Sequence, residues 1–388
     1  MKRPFIALLA ALFVCGDGLA ADSIKVGFLS TLSGPNAAIG LDIRDGFELA
    51  VKLDGGKLGG LPAEVIIADD QMNPDVGKQL VEKLLKRHRV DFVTGIVFTN
   101  VMLAVAPAVF DAKTFLVSAN ATPSALSGEG CSPWFFSTSW QNDGVHEAAG
   151  RVMQDRGFKN VLLVAPNYPA GKDALTGFKR YYKGAVSDEI YTKLGQLDYA
   201  AELAQIRAAK PDALYVFLPG GMGINFVKQY VAAGLNKTTP MYGPGFNADE
   251  DLIKAVGEPL VGMYNTSQWA HDLDNAANKR FVAEFQKVYG RLPTVYASQG
   301  YDAAQLIDSA VRGMKGKLDD KEALRKALKA ASFKSVRGDF KFNVNGVPIQ
   351  SYYLRQVIKE PSGRITNKLQ GTVLTAHTDA YASACKLK

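Results

Sequence analysis

The sequence predicts an α/β protein made of two similar lobes, each a parallel sheet covered by helices. Three observations lead there. The 388 residues are about twice what one compact α/β layer system needs. Hydrophobic residues make up 47% and charged residues 21%, which supplies real cores and excludes wholesale disorder. Strand-like and helix-like patterns alternate along the chain and restart midway, with 37 glycines for the tight turns between them.

Ile24 to Leu29 is a short β-rich run that ends in the turn Ser33-Gly34-Pro35. Ile39, Ile43, Phe47, Ala50 and Val51 then follow the helical period, and Ala63 to Ala68 is a second strand. Asn73-Pro74 opens a helix whose apolar stripe is Val76, Leu80, Val81, Leu84 and Leu85. Val90 to Val97 is a strand, Val101 to Phe110 a helix and Thr114 to Ser118 a fourth strand. Four successive β-α units mean a parallel sheet between helices. After Trp134 to Ser139 the pattern restarts. Strands at Val161 to Val164, Ala185 to Tyr191 and Ala213 to Leu218 alternate with helices ending at Gly157, over Gly171 to Tyr182, around Leu203 and Ile206, and over Gly223 to Ala233. Past Trp269 come helices near Asn275 to Tyr289, Pro293 to Arg312 and Asp319 to Ala331, then strands around an Asn345-Gly346 turn. No Pro-, Gly- or Ser-rich linker separates the lobes, so several short crossings should join them.

Lys2 and Arg3, the apolar run Phe5 to Val14, and Gly18-Leu19-Ala20 read as a secretory leader cut near Ala20. Its core of about ten residues is too short for a spanning helix. Cys15 is expected to leave with the leader, because Val14 before it is too large for a lipid-attachment site. Processing would remove Lys2, Arg3 and Asp17 and lower the net charge from +7 to +6. That surplus suits a solvated surface and no nucleic-acid partner. The one dense basic run, Lys86-Arg87-His88-Arg89, falls at a helix end, where cations complement the dipole. Cys131 and Cys385 remain; an even number in an oxidising compartment reads as a disulfide, with two free thiols as the alternative.

Catalytic patterns are missing. There is no phosphate-cradling Gly-x-x-x-x-Gly-Lys-Ser/Thr, no His-Glu-x-x-His, and Tyr296-Ala297-Ser298-Gln299-Gly300 lacks the first glycine of a nucleophile elbow. Gly221-Met222-Gly223 starts like a dinucleotide fingerprint but has no third glycine. His88, His146, His271 and His377 show no metal-ligand spacing. Adjacent Asp69 and Asp70 on a strand should point to opposite faces. No cofactor, metal or catalytic group is expected, and binding is the expected role.

Open α/β sheets bind ligands at the carboxyl ends of their strands, beside helix N-termini. In the first lobe those loops carry Thr99, Asn100, Asn120 and Thr122, whose short polar side chains suit a carboxylate but also cap helices. In the second they carry Tyr168, Met222 and Phe246, and Trp269 lies where the chain returns to the first lobe. Such side chains suit an apolar or aromatic ligand body, or simply a core.

Several stretches resemble one family in combination: Leu29-Ser30-Thr31-Leu32-Ser33-Gly34-Pro35, Gly95-x-x-x-Thr99-Asn100, Val117-Ser118-Ala119-Asn120-Ala121-Thr122, Asn167-Tyr168-Pro169-Ala170-Gly171 and Gly300-Tyr301-Asp302-Ala303. The mature chain is similar throughout to type I periplasmic solute-binding proteins of ABC importers, in particular the leucine/isoleucine/valine group. The resemblance implies two Rossmann-like lobes joined by a three-crossing hinge. Residues 21–140 plus 270–337 would form the first lobe, and 141–269 plus 338–388 the second. It also implies that Thr99, Asn120, Thr122 and the backbone of Ala121 hold a carboxylate, with Asn100 nearby, and that Tyr168 packs on the ligand.

One departure bears on the ligand. Amino-acid binders of that group carry an acid in a Gly-Pro-Glu loop to pair with the ligand ammonium, whereas here the loop reads Gly243-Pro244-Gly245-Phe246. Losing that charge-assisted bond would cost about two orders of magnitude in affinity. An aromatic carboxylate without an α-amine, benzoate-like or phenylpropanoid, is therefore expected, with Tyr168, Phe246 and Trp269 facing its ring. The implied partner is a membrane permease, and the implied state a periplasmic monomer. A branched-chain or other aliphatic amino acid is the alternative ligand, and a sensory ligand-binding domain the alternative role.

Overall fold

A computed structural model of the protein describes residues 21–387. The leader expected over residues 1–20, with Cys15, lies outside them. In the first lobe the order is β1 (Ile24–Ser30), α1 (Ala37–Leu53), β2 (Lys57–Leu58), β3 (Leu61–Asp69), α2 (Pro74–Lys83), β4 (Phe92–Thr94), α3 (Thr99–Asp111), β5 (Phe115–Ser118), α4 (Ser124–Ser127) and β6 (Phe135–Ser137). These strands form one sheet in the order β2-β3-β1-β4-β5-β6, parallel except for the β2–β3 pair. Local chemistry accounts for the helix starts. Asn73, for example, accepts from the N–H groups of Asp75 and Val76, and Pro74 occupies the first turn of α2.

The second lobe follows with α5 (Gly144–Asp155), β7 (Asn160–Pro166), α6 (Pro169–Tyr181), β8 (Ala185–Thr192), α7 (Ala200–Ala209), β9 (Ala213–Val216), α8 (Gly221–Ala232), β10 (Met241–Pro244), α9 (Glu250–Val256) and β11 (Tyr264–Ser267). The chain then gives α10 (Ala276–Tyr289), α11 (Val295–Gly313) and α12 (Lys321–Ala330), and ends with β12 (Lys341–Phe342), β13 (Pro348–Lys359) and β14 (Ile365–His377). The second sheet runs β12-β13-β11-β10-β9-β7-β8, with β14 paired to β13.

Helix α11 packs on α1 of the first lobe, backbone against backbone. A Cβ on Gly46 would lie 1.9 Å from the carbonyl of Ala297, and one on Gly300 would lie 2.0 Å from that of Ile43. The glycine of Gly300-Tyr301-Asp302-Ala303 is thus a close-packing residue. The chain leaves the first sheet over 138–143, leaves the second over 268–275 for helices α10 to α12, and returns to the second over 331–340. Arg337, on the third passage, donates to the carbonyls of Thr138 and Ser139 on the first, both at 2.6 Å, and pairs with buried Asp302 at 3.3 Å. One buried guanidinium therefore ties two crossings to α11.

Three features depart from the sequence pattern. β10 and β11 extend the second sheet, although Gly243-Pro244 looks like a turn; Pro244 ends its strand, where a missing N–H is tolerated. The long antiparallel β13–β14 hairpin, turning at Gly363 with φ +87°, carries polar side chains on an exposed β14 and lacks an apolar rhythm. The fourth strand of the first sheet pairs only over Phe92–Thr94, because Gly95 at φ +92° turns the chain out of the sheet. The hairpin at Asn345-Gly346 pairs Phe342 with Pro348. Cys131 and Cys385, 254 residues apart, form a disulfide.

Candidate functional site

A narrow cavity with about 30 Å³ of free space lies between the lobes. Its walls are the loops at the carboxyl ends of parallel strands. Val97, Phe98 and Thr99 follow β4, Asn120 and Ala121 follow β5, Tyr168 and Ala170 follow β7, and Phe217 and Phe246 follow β9 and β10. The turn at Gly95 aims the chain so that α3 begins at the wall.

The polar end is made by the first lobe. Phe98 precedes α3 and offers no capping side chain, so the first N–H groups of the helix face the cavity uncapped. The hydroxyl of Thr99 accepts from Nδ2 of Asn142 at 3.2 Å and keeps its own proton to donate. Asn120 donates through Nδ2 to the carbonyl of Val97 at 2.7 Å, while its Oδ1 has no partner.

The remainder is aromatic. Phe246 stacks on Tyr296 with ring centroids 5.6 Å apart and lies 5.0 Å from Trp140. Phe217 is 5.9 Å from Phe246, and Phe98 is 6.3 Å from Tyr168 across the gap. Burial pushes the Tyr168 and Tyr296 phenols well above their usual range, so both stay protonated. His146 meets Phe217 edge-on at 4.8 Å and bonds through Nδ1 to the Tyr215 hydroxyl. Its burial lowers its pKa to about 3, which keeps it neutral.

Of the residues singled out from sequence, Thr99, Asn120, Ala121, Tyr168 and Phe246 line the cavity. Five do not. Thr122 is fully buried behind the wall, its hydroxyl 2.7 Å from that of Ser137 and its N–H donating to Asn142 at 3.0 Å. Asn100, one residue into α3, is not in the lining. Met222, in the first turn of α8, is fully buried, its sulfur accepting from the Gly195 N–H. Trp269 is 1% exposed and donates to Oδ1 of Asn278 at 2.7 Å, so it is a core anchor. Gly245 turns its Cα toward Arg355: a Cβ there would lie 2.6 Å from Nη2. Arg355 itself is buried, and donates to Gly245 O, Trp269 O and Asn265 Oδ1. Asp249, whose pKa burial raises to about 8 against the pull of Arg355, accepts from the Val295 N–H and caps α9.

Sequence patterns miss Trp140, Asn142, His146 and Tyr296, because the first three come from a crossing and the helix after it, and Tyr296 from the far end of the first lobe. Phe217 stands at a strand end, where the strand-end rule alone would have found it. Asp69 and Asp70 serve the turn after β3: Asp70 accepts from Thr31 and Met72, and Asp69 from Leu32. Among the described residues no group of three or more His, Cys, Asp or Glu is arranged to hold a metal, and no helix is long and apolar enough to cross a membrane.

The model of the family described as periplasmic binding protein matches residues 23–363. The chain belongs to that family. Two solute-binding proteins of known structure are similar to it. A solute-binding protein of an ABC transporter from R. palustris, in complex with benzoate, is 34% identical, with TM-score 0.88 over 94% of this chain and all of that one. A second R. palustris solute-binding protein, in complex with 4-hydroxybenzoate, is 30% identical, with TM-score 0.86 over 92% of this chain and 98% of that one. Among curated proteins, Leu/Ile/Val-binding protein homolog 6 of Brucella melitensis is 29% identical over 95% of this chain and 96% of its own length. In this periplasmic binding protein Gly245 is backed by the guanidinium of Arg355.

Proposed function

We propose that this protein is the solute-binding component of an ABC importer, capturing an aromatic carboxylate, benzoate-like or phenylpropanoid, between its lobes for delivery to a membrane permease. The single observation that carries the ligand class is the cavity wall. It has six aromatic rings, Phe98, Trp140, Tyr168, Phe217, Phe246 and Tyr296, and no acidic side chain to pair with an amino group. Thr99, the uncapped start of α3, Asn120 and the backbone of Ala121 take the carboxylate, and Tyr168 and Phe246 take the ring. Thr122 supports this set from behind through Asn142. The similarity to proteins crystallised with benzoate and 4-hydroxybenzoate supports the same class.

In this reading residues 21–140 with 270–337 and residues 141–269 with 338–388 are the two jaws. The leader is removed near Ala20 and the mature monomer works in the periplasm without a cofactor and without catalysis. Calorimetric titration with benzoate tests it, comparing the mature protein with Tyr168→Ala. A loss of at least about tenfold on removing the ring is expected; equal affinity in the two proteins would remove Tyr168 from the site.

A further inference from the structure

The carboxylate reading leaves His146, a polar group of the cavity wall, unused. His146 is 1% exposed, lines the cavity, and makes a single hydrogen bond among the described residues, from Nδ1 to the Tyr215 hydroxyl. Tyr215, on β9, is itself wholly buried, and its hydroxyl has no second partner among them. The phenol proton therefore has one place to go. Were Nδ1 protonated, the Tyr215 O–H would be left without an acceptor in a dry interior, a costly arrangement for a buried donor. With the phenol donating to Nδ1, both groups are satisfied and the imidazole proton sits on Nε2. Nε2 then presents a fixed N–H donor with no protein acceptor. Edge contacts with Phe217 at 4.8 Å and Phe246 at 6.5 Å hold the ring, so the donor cannot swing away as a tyrosine hydroxyl can.

We propose that His146, set in the Nε2–H tautomer by Tyr215, is a specificity residue that donates to an oxygen substituent on the ligand ring. Resting on the function proposed above, this narrows the ligand class to oxygen-substituted aromatic carboxylates, such as hydroxybenzoates. A second donor supports it. The indole N–H of Trp140, in the same wall, is also buried without a partner, so an unsubstituted ring would leave two donors unmatched. Asn120 Oδ1, an acceptor without a partner, stands at the carboxylate end and does not satisfy either of them in this structure.

The test is calorimetric titration of the mature protein with benzoate, 3-hydroxybenzoate and 4-hydroxybenzoate, repeated on His146→Phe, His146→Gln and Tyr215→Phe. At least one hydroxybenzoate should bind the unaltered protein about tenfold more tightly than benzoate. His146→Phe should erase that preference, bringing the ratio of hydroxybenzoate to benzoate affinity to about one, and His146→Gln, which keeps an N–H near Nε2, should restore part of it. Tyr215→Phe should reduce the preference by freeing the tautomer. Equal binding of all three acids by the unaltered protein, or the same loss on benzoate as on the hydroxybenzoates in His146→Phe, would overturn the proposal; the latter would mean that His146 serves the carboxylate. Should none of the three acids bind, the functional reading itself falls, whereas benzoate binding without discrimination removes only the role of His146. Near-ultraviolet circular dichroism of each variant separates a lost contact from a lost fold.

Discussion

Arg355 donates through Nη2 to the carbonyl of Gly245 at 3.1 Å, and a Cβ on that glycine would lie 2.6 Å from the same nitrogen. The guanidinium fills the space a side chain at 245 would need, and Ser267 closes the other side at 2.9 Å. Gly245→Ala must therefore displace a buried cation from three carbonyl-type acceptors. A stability loss of about 1–3 kcal/mol is expected from the overpacking, measured by urea denaturation. A variant as stable as the parent would show that Arg355 relaxes freely.

Thr99 and Thr122 should separate binding from folding. Thr99→Val removes the hydroxyl at the cavity wall and should weaken benzoate by about tenfold with little change in stability. Thr122→Val removes a buried hydroxyl bonded to Ser137 and should cost about 1 kcal/mol in stability, while the backbone N–H keeps its bond to Asn142 and affinity stays within about threefold. Calorimetry and urea denaturation on both variants read the two effects independently.

The contrast between these threonines shows how far the sequence could be read. Both sit on strand-end loops of the kind that bind ligands, and short polar residues there look alike in one dimension. The register of β5 beside β6 brings Ser137, and Ser139 just past it, against the Thr122 hydroxyl in the wall, whereas Thr99 opens α3 at the cavity. The alternation of strands and helices was legible because each β-α unit is a local pattern. Trp140, His146 and Tyr296 were not, since a crossing and two helix starts distant in sequence meet only when the lobes face each other. Trp269 misled for the opposite reason: it stands near the cleft in sequence order, but Asn278 anchors its indole in the core.

Acid should act through His146. Its pKa falls from 6.5 to about 3 on folding, so between those values the unfolded chain binds the extra proton and stability declines as pH falls. The contribution is fully present above about pH 6.5. Relative to His146→Phe, which has no such group, the parent should lose up to a few kcal/mol between pH 6.5 and pH 4. Thermal melts of both proteins across that range check it; parallel curves would mean that the imidazole is protonated in the fold.

The disulfide ties the loop before β6 to the C-terminal tail, whose Tyr381 donates to Asp143 at 2.8 Å near the start of α5. Replacing Cys131 and Cys385 by serine should lower stability by about 2–4 kcal/mol and leave benzoate affinity unchanged, because neither cysteine lines the cavity. Denaturation and titration of the double variant check both halves.

The central claim is that a cavity walled by aromatic rings and free of acids takes an aromatic carboxylate and refuses an amino acid. Calorimetric titration of the mature protein with benzoate, 4-hydroxybenzoate and leucine tests it most directly. Binding of at least one aromatic acid, with leucine weaker by about a hundredfold or more, is the predicted result. Tight leucine binding with no response to either aromatic acid would contradict it.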